Sequence, residues 1–90
     1  MGTALIKIKL MPTSPEVDLD AIKKSAEEKI TAGSGEKTSF EEEPIAFGLK
    51  AVIAGFSLDE SKELDPIEES LKKIENVNSV QVIDMRRAFG

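Results

Sequence analysis

The chain has 90 residues, seventeen acidic and twelve basic side chains for a net charge of −5, and neither Cys nor His. That composition excludes disulfides, thiolate or imidazole metal sites and any Cys-His or Ser-His nucleophile, and its sign opposes general attraction to phosphate backbones, so direct nucleic-acid binding is not expected. No apolar run approaches the ~18 residues of a membrane span and the N-terminus lacks a secretion signal, so residues 1–90 read as one soluble, cytoplasmic domain without a metal or cofactor.

Residues 3–11 alternate, with Ile6, Ile8 and Leu10 on one side and Lys7 and Lys9 on the other, which predicts a half-buried strand. Pro12-Thr13-Ser14-Pro15 is a turn without the Arg, Lys or Gly that would hold an anion. Asp18 is a candidate N-cap, and Val17 and Ile22 are spaced for a hydrophobic staple. Leu19, Ile22, Ala26 and Ile30 then form one apolar stripe of a helix of about three turns, with Gly33 placed to supply a left-handed cap.

From Gly35 to Glu43 the chain is polar around one large apolar residue, Phe40, and the run Glu41-Glu42-Glu43 predicts an edge strand. Those carboxylates, and Asp59-Glu60, lack the spacing of a calcium loop and read as solvated charge. Pro44 has no N–H to donate to a ladder, so the polar segment is expected to end there and a new element to begin. Ile45, Ala46, Phe47 and Gly48 follow at the lip of the next strand. Phe47 reads either as the first core residue of that strand or as an aromatic knob for another protein's pocket, with Gly48 allowing close approach.

Leu49 to Leu58 is apolar on both faces, as a central strand is. Asp65-Pro66-Ile67-Glu68 predicts a second helix with Asp65 as N-cap, Pro66 in the first helical position and Glu68 reaching back, its stripe being Leu64, Ile67, Leu71 and Ile74. Asn76-Val77-Asn78 is the turn out, and Ser79–Arg86 is a last strand carrying the chain's two arginines, Arg86 and Arg87, at its end. Neighbouring strand residues point to opposite faces, so at most one of the two serves a given surface; they read either as a solubilising terminus or as a contact to an acidic or phosphate-bearing partner.

The order βαββαβ predicts an α+β ferredoxin-like split βαβ sandwich: a four-stranded antiparallel sheet, order 4-1-3-2, with both helices on one face. The fold hosts many functions, and several lack their residues here. An RNA-binding version needs aromatics on its first strand, a metal chaperone needs thiols, and an acyl-phosphate hydrolase needs an anion-holding loop after the first strand. A small-molecule-sensing or dimerising regulatory domain of the same topology stays open, and it predicts a buried Phe47 and self-association.

Three stretches carry a family resemblance: Glu43-Pro44-Ile45-Ala46-Phe47-Gly48-Leu49-Lys50-Ala51, Met11-Pro12 followed by Val17-Asp18-Leu19, and Asp84-Met85-Arg86-Arg87. Over its whole length the chain resembles the short archaeal form of translation elongation factor 1-beta. That resemblance implies a monomeric exchange factor that replaces GDP by GTP on elongation factor 1-alpha, without covalent chemistry. It implies that Phe47 is the aromatic inserted into the GTPase, with Pro44, Ile45, Ala46 and Gly48 shaping its loop. Eukaryotic members place a second contact, a lysine, one residue from the C-terminus. Here the end reads Ala88-Phe89-Gly90, so Arg86 or Arg87 would have to stand in.

Overall fold

A computed structural model of the chain describes residues 2–88. Its elements are β1 (Thr3–Pro12), α1 (Leu19–Ala32), β2 (Glu36–Ala46), β3 (Leu49–Asp59), α2 (Asp65–Lys72) and β4 (Val77–Ala88). All neighbouring strands are antiparallel, in the order β2-β3-β1-β4. This is the expected ferredoxin-like arrangement. Two-residue alternation explains the packing: Ile6, Ile8 and Leu10 of β1 and Val52, Ala54, Phe56 and Leu58 of β3 face one way. They join Ile22, Ala26 and Ile30 of α1 and Ile67 and Leu71 of α2 in a single core. Ile74, just past α2, belongs to that core as well.

The other sheet face is open, yet Ala51 and Ile53 of β3 are buried on it. Lys9 and Glu41 stand directly beside Ile53, and Glu43 beside Ala51, so the stems of long charged side chains cover them. The central strand is therefore buried on both faces, as its composition requires.

Asp18 caps α1 as expected, its Oδ1 accepting from the Asp20 N–H at 3.0 Å. Other expectations are corrected. Gly33 ends α1 at φ −90, and the left-handed residue is Ser34 at φ 77. Glycine is needed at 33 because a Cβ there would run into the Ile67 side chain of α2, so its role is close helix packing. Leu64, in helical conformation, precedes α2 in place of Asp65, which is already the first helical residue. No side chain caps that end. The Glu68 N–H instead donates to the Leu64 carbonyl at 3.0 Å, continuing the turn backward.

The last strand is longer than Ser79–Arg86 by two residues at each end, since β1 offers partners from Thr3 to Pro12. It shifts register between Lys7 and Ile8, which leaves Ile83 as an extra residue. The strand before the hairpin does not stop at Glu43. β2 continues through Pro44, opposite Lys50, to Ala46. Proline is tolerated because β2 is an edge strand and nothing lies beyond it to receive an N–H.

Candidate functional site

Ala46 pairs with Leu49, so the β2–β3 connection is the two-residue loop Phe47-Gly48. Phe47 has φ 55 and Gly48 φ 81. Two central residues with positive φ define a type I′ turn, whose backbone twist matches that of the flanking strands. Asn, Asp or Gly normally occupies the first position, because a Cβ in the left-handed region crowds the backbone at a cost of about 1–2 kcal/mol. Phenylalanine stands there instead. It is 99% exposed, so no packing offsets the strain. Ile45 beside it is 39% exposed. Of the two readings of Phe47, the core residue is the one the structure rejects.

The hairpin is braced from both faces. Glu42 and Glu43, adjacent in β2, point to opposite sides, and each meets a lysine from another element. Glu43 lies 3.2 Å from Lys9 of β1 across the open face, and Glu42 lies 2.7 Å from Lys23 of α1 on the helix side. The hydrogen bond holds the Glu42 carboxyl below its ordinary range and the Lys23 ammonium above its own. The acidic run is thus only partly the solvated edge expected of it. Strict alternation in a strand was the signal that could have separated its members. A hollow of about 250 Å³ lies beside the turn, lined by Pro12, Pro15, Leu19, Glu42, Gly48 and Lys50.

Pro44, Ile45, Ala46, Phe47 and Gly48 are therefore gathered at one end of the sheet. Arg86 and Arg87 are not with them. They pair with Leu5 and Ala4, near the start of β1. Leu5 lies beside Ser57, eight residues along β3 from Leu49, which is roughly 26 Å at the rise of a strand. Alternation also separates the two arginines. Arg86 shares Leu5's open face and its Nε donates to Asp84 Oδ2 at 3.0 Å, whereas Arg87 pairs with the Glu60 carboxylate. Expectations about the tail rest on Phe89 and Gly90, which lie outside the described residues.

A ferredoxin-like sandwich presenting a strained, solvent-exposed aromatic on an edge hairpin is suited to binding another protein, and the match of residues 5–88 to the family model described as "EF-1 guanine nucleotide exchange domain" places it in the nucleotide-exchange class. The chain is 45% identical over 91 residues to elongation factor 1-beta of Methanothermobacter thermautotrophicus, covering 97% of this chain and 98% of that one. It is 42% identical over 88 residues to the Methanosarcina barkeri protein of the same name, covering 97% and 99%. The Methanococcus maripaludis counterpart is 37% identical over 86 residues, covering 94% and 97%. The chain belongs to the elongation factor 1-beta family.

Proposed function

We propose that this protein promotes the exchange of GDP for GTP on elongation factor 1-alpha, renewing the GTPase for aminoacyl-tRNA delivery. Phe47 and the Pro44–Gly48 hairpin carry the contact. The carrying observation is the state of Phe47: fully solvated and left-handed in the isolated chain. A phenyl ring buried in a partner's pocket gains about 1.5–3 kcal/mol over one left in water, and a turn that already projects it does so without reordering the tip.

Exchange of this kind makes and breaks no covalent bond. A factor that fits the nucleotide-poor GTPase better than the nucleotide-bound one loosens GDP, and GDP loosens the factor by the same ratio. Phe47 works as a wedge only to the extent that its pocket differs between those two states. The negative charge of the chain speeds encounter with a basic partner surface at low salt. Arg86 or Arg87 supplies a second contact at the far end of the sheet, leaving its acidic neighbour to do so. The protein acts in the cytoplasm as a monomer, without contacting nucleic acid. A dimerising regulatory role would require a buried Phe47, and its exposure favours the exchange reading.

The test is release of fluorescent GDP from the matched GTPase with and without this protein across a magnesium series. Acceleration that persists at high magnesium is the expected result, since the wedge is an aromatic ring and not a cation competing with the metal. No acceleration at any magnesium concentration would overturn the proposal.

A further inference from the structure

The β2–β3 hairpin runs past the body of the sheet. The last residue of β3 with a β1 partner at this end is Val52, opposite Leu10, so Leu49, Lys50, Ala51 and the turn have only β2 beside them. A two-stranded ribbon is marginal in water by itself. It bends most easily toward one face of the sheet or the other, at the rung where the third strand gives out, and Phe47 would swing with it.

The two ion pairs of the hairpin lie at that rung. Glu42 stands opposite Val52, the last supported residue of β3, and Glu43 opposite Ala51, the first unsupported one. Neighbours in a strand face opposite ways, so the two carboxylates are held from opposite sides: Lys23 Nζ lies 2.7 Å from Glu42 on the helix side, and Lys9 Nζ 3.2 Å from Glu43 on the open side. Lys9 shares its own row with Ile53 and Glu41, yet its ammonium reaches forward to Glu43, onto the ribbon. Both cations start from fixed ground. Lys9 stands between Ile8 and Leu10, and Lys23 follows Ile22, all three in the core. The lysine side chains are only 25% and 24% exposed, so their stems are largely immobilised before the pairs form, and the entropy cost that cancels most surface pairs is reduced.

We propose that Lys9 and Lys23 are positioning residues for the Phe47 hairpin: opposed ties, one from β1 and one from α1, that restrain the ribbon from bending to either face and so fix the direction in which the ring projects. Each tie resists bending away from its own face, and the two together resist both. The functional consequence rests on the exchange reading above, but the structural content does not. With the ties cut, only a fraction of molecules would hold the binding-competent pose. The apparent affinity for the GTPase would fall by that fraction, while the rate of GDP release from the assembled complex would stay the same.

The test uses the full chain and three double variants. Lys9→Met with Lys23→Met keeps the stems and removes both charges, Glu42→Gln with Glu43→Gln cuts the same ties from the hairpin side, and Lys9→Arg with Lys23→Arg keeps charge and reach. Backbone NMR relaxation at Phe47 and Gly48 reports the restraint directly. Their order parameters are expected to fall from about 0.85 towards about 0.6 in the methionine and glutamine variants and to be retained in the arginine variant, with Ile8 and Ala54 in the core unchanged throughout. The concentration giving half-maximal GDP release should rise about two- to fivefold in the first two variants at unchanged maximal rate, in keeping with the modest worth of two partly buried pairs. Wild-type order at Phe47 and Gly48 in either the methionine or the glutamine variant overturns the proposal, as does an equal loss of order in the arginine variant. A rise in half-maximal concentration confined to the methionine variant also overturns it, because the lysines would then be touching the GTPase themselves. If the wild-type chain fails to accelerate GDP release, the exchange reading falls and the order-parameter comparison still decides the role of the two lysines.

Discussion

Phe47 is where local preference and the observed structure disagree most. A turn with positive φ at both central residues favours Asn-Gly, and the sequence supplies Phe-Gly. Replacing Phe47 by Asn is therefore expected to raise stability by about 1 kcal/mol while abolishing the acceleration of GDP release, with urea unfolding and exchange kinetics measured on the same preparations. A loss of stability would mean that the ring packs in the free chain after all. Gly48, at φ 81, gives the converse prediction. Gly48→Val should destabilise the hairpin by about 1–2 kcal/mol through backbone crowding alone. The 43–49 stretch was legible as the junction between two strands, but the direction of Phe47 was not. Phe-Gly is not a strong turn signal, and Pro44 pointed to a break three residues too early. The missing fact was spatial: β2 lies at the edge of the sheet, and at an edge a proline does not end a strand.

At the level of elements, the caps and ion pairs set what is testable. Asp18 satisfies the start of α1, so Asp18→Ala should lower stability by about 1 kcal/mol and Tm by about 5 °C. The Glu42–Lys23 bridge joins β2 to α1, and Asp59 accepts from the Ser61 N–H at 2.8 Å. That bond to the Ser61 backbone holds the Asp59 carboxyl below its ordinary range, as the Lys23 hydrogen bond does for Glu42. A carboxylate lowered on folding contributes stability that is complete above its unfolded value and lost as pH falls through its folded value. Lys23 and Lys72, raised by their hydrogen bonds to Glu42 and Glu69, contribute below the ordinary lysine value and lose it as pH rises past it. Stability should therefore be level between roughly pH 5.5 and 9 and decline below roughly pH 4 and above roughly pH 11. All four groups lie near the surface, so each effect is small and weakens with salt. Urea midpoints for the wild type and Lys23→Met between pH 3 and 7 check this, the variant showing the shallower acid limb. The α1 cap was readable because Asp18 stands directly before an apolar stripe. The start of α2 was misread by one residue because Leu64, already helical, looks in sequence like part of the same stripe.

The fold as a whole was readable from periodicity: two amphipathic stripes, one strand apolar on both faces and one charged edge admit few other arrangements. The distribution of the candidate site was not, because distance along the chain says nothing about which end of an antiparallel sheet a residue reaches. The molecule is 43 Å long, with the hairpin at one end of the sheet and Arg86 and Arg87 towards the other. Groups so far apart without shared partners are expected to act additively. The combined Arg86→Ala, Arg87→Ala and Phe47→Ala variant should therefore lose the sum of the separate free-energy effects on binding to the GTPase, within about 0.5 kcal/mol by titration. The measurement that bears most directly on the account is GDP release stimulated by the wild type and by Phe47→Ala, with far-UV circular dichroism and Tm recorded for both. The ring is 99% exposed, so the variant should keep its spectrum and its Tm and lose the acceleration. A folded Phe47→Ala protein that stimulates release as well as the wild type would contradict the assignment of the hairpin as the exchange element.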